Sequence, residues 1–112
     1  MPRVYGLHEV IIHPDYTDED FEKFVRDELP KVVQPAGSRL YVLKGNRGYG
    51  AGRFLLVHEF DSVETQNRLW PGNLASDEMK VWQEKNAGFV KQWASFFEHT
   101  MYTDYVELTP AR

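Results

Sequence analysis

The chain contains no cysteine, which excludes disulfide bonds and thiolate chemistry and is what we expect of a cytoplasmic protein. It also has no excess of basic residues, because 13 lysines and arginines face 17 acidic residues and leave a net charge of -4. Proteins that bind nucleic acids present a clustered basic face, so we expect no nucleic-acid partner. No apolar run has the length of a signal segment or a membrane span, so we expect no membrane association.

The composition is that of one ordinary globular domain covering residues 1–112. Hydrophobic residues make up 42% of the chain and aromatic residues 14%. A chain of this length buries roughly two thirds of its unfolded surface, which is enough for one core without disulfide or metal support. Aromatic side chains bury the most area per residue and should dominate that core.

Apolar periodicity and turn signals predict the order strand, helix, two strands, helix in two pieces, strand. The predicted elements are a strand over 4–13, a helix from Thr17 to about Leu29 that Pro30 ends or kinks, strands over 38–44 and 54–60, a short helix capped by Asp61 and Glu64, a long helix from Ser76 to Phe96 and a strand over 99–108. The apolar stripe of the long helix has Asn86 as its only polar member.

Two right-handed crossovers then give an α+β fold with an antiparallel sheet in the strand order four, one, three, two and with the helices on one face. The other face carries a set of apolar side chains, namely Tyr5, Leu7, Ile11, Leu55, Val57, Met101 and Tyr105. An apolar surface of this size should not stay in water. We therefore predict a homodimer that packs through the open sheet face.

A histidine-glutamate step occurs in two of the strands, at His8-Glu9 and at His58-Glu59. Strand side chains alternate between faces, so on neighbouring central strands both imidazoles share the face covered by helices. Asp104 and Tyr102 have the matching parity on the last strand. An imidazole near a carboxylate is a minimal general-base pair, which makes His8, His58 and Asp104 the candidate catalytic residues.

Two structural interpretations compete with catalysis at these histidines. Both can be core histidines that are bonded to their neighbours, or ligands of a metal ion, although no local spacing such as His-x-x-x-His is present. The glutamates face the other way, where Arg39, Arg53 and His99 share their parity and would form interface ion pairs.

Candidate substrate-binding residues are Asn86, Tyr102, Trp70 and Trp82. An amide at Asn86 or a phenol at Tyr102 would donate a hydrogen bond to a substrate oxygen. The tryptophans would contact a flat ligand, with core packing as the alternative for Trp82. For Asn86 the alternative is a hydrogen bond to the sheet.

The chain resembles the dimeric α/β-barrel superfamily of ferredoxin-like proteins. The resemblance covers the whole chain and is clearest at Val57-His58-Glu59-Phe60-Asp61-Ser62-Val63-Glu64-Thr65, and at Phe96-Phe97 through Asp104-Tyr105. The superfamily includes antibiotic-biosynthesis monooxygenases, muconolactone isomerases, haem-degrading monooxygenases, polyketide cyclases and stress-responsive barrel proteins. It implies a βαββαβ fold, a homodimer and a pocket between the sheet and the helices.

Two residues are similar to positions that matter in these relatives. His8 resembles the first-strand histidine that lines the pocket of the polyketide cyclases, and Trp70 partly matches a tryptophan of the haem-degrading members. The cyclases carry a second histidine in the loop after the short helix, where this chain has Trp70-Pro71-Gly72-Asn73. The helical histidine ligand of the haem-degrading members has no counterpart either.

Our leading hypothesis is a small cofactor-independent enzyme that acts on an apolar carbonyl or polyketide-like small molecule. The reaction would be an isomerisation, a cyclisation or an oxygenation through an enolate. The alternative is a ligand-binding or stress-related structural barrel protein without turnover, and the third hypothesis is a haem-binding member.

Overall fold

The computed structural model describes residues 2–109. The strands are β1 Val4–Ile12, β2 Ser38–Lys44, β3 Phe54–Phe60 and β4 Phe97–Val106, and the helices are α1 Asp18–Asp27, α2 Val63–Leu69, α3 Asp77–Lys85 and α4 Ala87–Ser95. Short 3-10 helices follow α1 at Leu29–Lys31 and α2 at Pro71–Asn73. Within the described residues, no helix has both the length and the apolar character needed to cross a bilayer.

The sheet has four antiparallel strands in the order β2-β3-β1-β4, which confirms the predicted topology. The central pair, β1 and β3, runs without a break from Val4 opposite Phe60 to Val10 opposite Phe54. Even-numbered residues of both strands pack under the helices, and odd-numbered residues face the opposite side. The fold class is therefore α+β, with the helices on one face.

Helix α1 begins where the sequence predicts. The Thr17 side chain accepts a hydrogen bond from the Asp20 backbone at 3.1 Å, and the Asp20 carboxylate accepts one from the Thr17 backbone at 2.9 Å. This capping box satisfies two amide groups that the first turn leaves unpaired. The helix ends at Asp27, and Pro30 lies in the 3-10 helix that follows.

The predicted cap of α2 is wrong by one residue. Ser62, not Asp61, caps this helix, and its hydroxyl accepts a hydrogen bond from the Thr65 backbone at 3.1 Å. Asp61 instead extends the sheet, because its amide donates to the Gly37 carbonyl at 3.0 Å. Its carboxylate then pairs with Arg39.

The predicted long helix is broken at Asn86 into α3 and α4. The backbone of Asn86 leaves the helical region, with φ -113 and ψ 30. Its side-chain amide donates to the Trp82 carbonyl at 2.9 Å, a carbonyl that also accepts from the Asn86 backbone amide at 3.0 Å. Asparagine favours such local bonds over helix interiors.

Strand β4 begins at Phe97, two residues before the predicted start. A register irregularity between Ile11 and Ile12 of β1 lets Phe97 pair with Ile12. Bulges of this kind bend a strand and re-aim its side chains. Phe97 can therefore join the sheet and also pack against the core.

Two groups of buried side chains form the core between the sheet and the helices. One group comprises Val10, Phe21, Phe24, Phe54, Leu56 and Phe96. The other comprises Val4, Phe60, Leu69 and Met79, with Trp70 and Trp82 packed against it. The second group lies next to the site described below.

The opposite face of the sheet is open and largely apolar. Leu43 is 51% exposed, Met101 66% and Tyr105 54%. Near one end of this face the Arg39 guanidinium pairs with Glu59, which is only 8% exposed. Of the predicted partners of the two glutamates, Arg39 is confirmed, whereas Arg53 lies over the Tyr49 ring.

The capping box makes a first prediction. We expect Thr17→Ala to lower the free energy of unfolding by about 1 kcal/mol, because it leaves the Asp20 amide without its partner. Urea unfolding followed by circular dichroism measures the change. Thr109→Ala, at an exposed position after β4, is the matched control, and equal stability of the two variants would contradict the cap.

Candidate functional site

The imidazoles of His8 and His58 lie together on the helix-covered face of the sheet. His58 is opposite Gly6 in the β1–β3 pair, so His8 is its diagonal neighbour. The ring centroids are 6.3 Å apart and the rings are nearly perpendicular. The predicted juxtaposition of the two histidines is therefore present in the structure.

Both histidines line a cavity of about 350 Å³. Strands β1, β3 and β4 form its floor, and α2 with the following 3-10 helix forms its wall. The lining residues are His8, His58, Phe60, Gln66, Trp70, Asn73 and Tyr102. Most of this lining is aromatic, so the cavity suits a flat apolar ligand that carries a few polar atoms.

The wall is shaped by the turn after α2. Trp70 ends that helix, and its amide donates to the Gln66 carbonyl at 2.7 Å. Gly72 and Asn73 then both adopt positive φ values, 59° and 66°. Asparagine is among the few residues other than glycine that tolerate this region, and at this position its side chain lines the cavity.

Tyr102 and Asp104 form a hydrogen-bonded pair on β4 beside the histidines. The Tyr102 hydroxyl donates to the Asp104 carboxylate, and the Tyr102 ring lies 4.5 Å from the His8 ring, centroid to centroid. Asp104 therefore bonds to Tyr102, and no hydrogen bond joins it to His8 among the described residues. Register explains this, because His8 is opposite Tyr102 whereas Asp104 is opposite Gly6.

Gly6 leaves room for this pair. A Cβ atom at position 6 would lie 3.1 Å from the Tyr102 ring and 3.3 Å from the Asp104 carboxylate. Both distances are shorter than a comfortable contact. The missing side chain on the central strand thus lets Tyr102 and Asp104 lie over the sheet next to His58.

Burial keeps both imidazoles neutral near pH 7. It lowers the pKa of His58 to about 4, and the neighbouring His8 adds to the effect. Burial also lowers the pKa of His8, while the Asp104 carboxylate opposes that change. A neutral imidazole has one nitrogen that accepts a proton and one N–H that donates a hydrogen bond. The two histidines can therefore supply both a proton acceptor and a hydrogen-bond donor in this cavity.

The Tyr102 phenol also stays protonated. Burial raises its pKa well above the ordinary value, and the hydrogen bond to Asp104 acts in the same direction. The hydroxyl is therefore a hydrogen-bond donor near neutral pH and not a base.

Three predicted site residues do not line this cavity, namely Asp104, Asn86 and Trp82. Asn86 lies at the break between α3 and α4, where its side-chain amide bonds to the Trp82 carbonyl, so the structure does not bring it to the histidines. Its contact with a substrate oxygen stays a prediction. Trp82 lines a second cavity, of about 150 Å³, and its indole N–H donates to the Val33 carbonyl at 2.7 Å. Trp70 contributes to both cavities.

Sequence reasoning missed Gln66 and Asn73 as lining residues. Gln66 is a polar residue on a short helix, and its helical position alone carries no sign of a site. The Pro71-Gly72-Asn73 sequence does signal a tight turn. That signal predicts the local backbone, but not that the Asn73 side chain faces the histidines.

The structure places no histidine on a helix. All four histidines lie within the described residues, on β1, β3, β4 and in the turn after β1. Within 2–109, no group of three or more His, Asp or Glu side chains is arranged to hold a metal ion.

Comparison with solved structures identifies the fold. A dimeric protein of unknown function with a ferredoxin-like fold from Bacteroides fragilis superposes with a TM-score of 0.54 at 14% identity, over 94% of this chain and 96% of the other. A candidate antibiotic biosynthesis monooxygenase from Bordetella bronchiseptica gives 0.53 at 15% identity, over 97% and 100%. No family model and no curated protein matches the sequence.

The chain therefore has the ferredoxin-like fold, which confirms the predicted fold. At sequence identities this low, the function of a residue in one protein cannot be assigned to the equivalent residue in another. Any activity has to be argued from the cavity itself.

The lowered pKa of His58 makes a second prediction. The unfolded chain binds a proton on this imidazole below pH 6.5, whereas the folded chain does so only near pH 4. The contribution of neutral His58 to the free energy of unfolding is therefore fully present above pH 6.5. It is lost as the pH falls towards 4, and the loss reaches up to about 3 kcal/mol. Urea unfolding at several pH values measures this slope, which should be smaller in His58→Gln.

Imidazole C–H resonances provide the direct measurement. The signal that disappears in His58→Gln should titrate near pH 4 in the wild-type protein. A midpoint at the ordinary histidine value would contradict the burial of this side chain.

Proposed function

We propose that the protein is a small enzyme that removes a proton from the carbon next to the carbonyl of an apolar small molecule, without a cofactor. The single observation that supports this most is the pair of neutral imidazoles lining one aromatic cavity. The enolate that results is the common intermediate of isomerisation, cyclisation and oxygenation. The ferredoxin-like fold hosts many chemistries, so the cavity carries this argument and not the fold.

His8 is the proposed proton acceptor. It lies between Tyr102 and His58, and the Asp104 carboxylate favours its protonated form. When His8 takes a proton from the substrate, the nearby Asp104 carboxylate therefore stabilises the imidazolium that forms. Asp104 acts on His8 through its charge and not through a direct hydrogen bond.

His58 is the proposed donor to the enolate oxygen. Its low pKa makes it a weak base, but its neutral imidazole retains an N–H. A neutral imidazole that donates to a developing oxyanion in a dry cavity stabilises the transition state more than the ground state. Tyr102 is a second donor if its hydroxyl turns from Asp104 to the substrate.

Three fates of the enolate fit the fold and the cavity. The proton returns to another carbon in an isomerisation, or the carbanion attacks a second carbonyl in a cyclisation. In an oxygenation, dioxygen is the oxidant, the substrate methylene becomes a new carbonyl and the second oxygen atom leaves as water. The Bordetella bronchiseptica neighbour, a candidate monooxygenase, favours testing oxygenation first.

Proton abstraction is measured without knowing the natural substrate. We expect the protein to accelerate exchange of the acidic methylene protons of 2-tetralone, an apolar bicyclic ketone, for deuterium in D2O. His8→Gln should slow this exchange by about a hundredfold or more, the usual contribution of a general base. The wild-type rate should rise with pH and level off at a lower pH than an ordinary histidine would give, since burial lowers the pKa of His8.

The matched control is His13→Gln, because His13 lies in the turn after β1, outside this cavity, with its side chain 41% exposed. Equal exchange rates for wild type and His8→Gln would contradict the proposal. Oxygen consumption, with an anaerobic control, then separates oxygenation from the other two reactions.

A ligand-binding protein without turnover is the second candidate. The low pKa of His58 favours it, because lowered pKa values make both imidazoles weaker bases than free histidine. Binding of 2-tetralone in the cavity without any deuterium exchange would support this alternative.

We also propose that the chain forms a homodimer through the open sheet face. The exposed apolar side chains on that face and the dimeric Bacteroides fragilis neighbour of the same fold support it. Burying such a face against a second copy removes apolar surface from water.

Light scattering after gel filtration measures the assembly. We expect the wild type to elute as a dimer and the double variant Leu43→Glu/Met101→Glu as a folded monomer, because four charges would face each other across the interface. The matched control is Leu74→Glu/Val81→Glu, at exposed positions on the helical side. A monomeric wild type, or a dimeric sheet-face variant, would contradict this assembly.

A further inference from the structure

The second cavity lies directly behind the histidine cavity. It occupies about 150 Å³ between the sheet and helices α3 and α4. Three side chains line both cavities, namely His58, Phe60 and Trp70. These shared residues form a partition between an outer chamber, which holds both histidines, and an inner chamber.

The inner chamber is suited to an apolar group. Its walls include Leu40, Met79, Phe89, Val90 and Trp93. Within the described part of the chain, no carboxylate, ammonium or guanidinium group lines it. Gln34 and Gln83 supply polar atoms, so a buried ionic ligand has no charged partner there.

Trp70 is the member of the partition that lies in the turn after α2 and not in the sheet. It lies at the end of α2, just before the turn with positive φ angles, and packs on the edge of a core group. Trp82, by comparison, is fixed by its hydrogen bond to Val33. Among residues 2–109, packing alone holds the Trp70 indole, whereas His58 and Phe60 belong to β3, which is paired on both sides.

We propose that the two cavities are the chambers of one ligand site and that Trp70 determines its specificity. The ligand is an elongated molecule with a carbonyl or enol head between His8 and His58. Its apolar tail passes Trp70 into the inner chamber. This inference rests on the proposed function, since it takes the histidine cavity as the site of the ligand head.

A series of 4-alkylphenols tests the two-chamber site, because phenols mimic an enol head and the alkyl tail varies in length from methyl to octyl. Calorimetry measures affinity, and the imidazole NMR signals of His8 and His58 report where the head binds. We expect affinity to rise by about a factor of four for each added methylene that reaches the apolar chambers. The increase should continue after the outer chamber is full.

Filling the inner chamber should abolish the gain for long tails only. Val90→Phe, on α4, and Gln83→Phe, on α3, each place a ring in this chamber from a different helix. Neither position lines the outer chamber, so 4-methylphenol should bind these variants as it binds the wild type. Val81→Phe, at a 64% exposed position of α3, is the matched control and should bind every phenol like the wild type.

Trp70→Phe tests the partition itself. The smaller ring widens the passage, so we expect the largest affinity gain for a branched tail, 4-tert-octylphenol, relative to the linear octyl isomer. Similar gains for both isomers would assign Trp70 to general packing and overturn its role in specificity.

The outcomes separate this inference from the proposed function. Affinity that stops rising at short tails, or that rises equally in the filled variants, overturns the two-chamber site and leaves the head site intact. Failure of every phenol to bind, with no change in the imidazole signals, overturns both.

Discussion

The register of β1 against β3 determines the site. Seven consecutive residue pairs join these central strands, and their alternation places His8 and His58 as diagonal neighbours on one face. A slip of one residue would move the histidines of one strand to the opposite face. Buried apolar residues at both ends of the pair, from Val4 and Phe60 to Val10 and Phe54, prevent such a slip because their side chains would then leave the core.

The surroundings of the pair give the two histidines different properties. Aromatic walls and α2 remove water from His58 more completely than from His8, and only His8 is near a carboxylate that raises its pKa. Two chemically identical side chains thus become unequal through position alone. Such separation of two titratable groups is a common way to assign an acceptor and a donor within one cavity.

The architecture was predictable because it follows from alternation and chain direction. Strand parity predicted the shared face of the histidines, and the handedness of crossovers predicted the sheet order. The break at Asn86 was not predictable in the same way, because the apolar stripe continues across it. Only the hydrogen bond from the Asn86 side-chain amide to the Trp82 carbonyl, seen in the structure, reveals it. The cap at Ser62 likewise depended on a tertiary bond between Asp61 and Gly37.

The polar lining of the cavity was the least predictable part. Gln66 and Asn73 reach it only because the turn after α2 folds back over the sheet, and a single sequence holds no signal of that path. The role of Gly6 was equally unpredictable, because it consists in the space that the missing side chain leaves for Tyr102.

The ion pair between Arg39 and Glu59 has a consequence for docking on the sheet. The pair lies on the open, otherwise apolar face of the sheet, and the Glu59 side chain is almost fully buried. A surface that docks there would remove water from the Arg39 side chain, which is still 41% exposed although it is paired with Glu59. An ordered partner would therefore have to leave this guanidinium hydrated or offer it a hydrogen-bond acceptor.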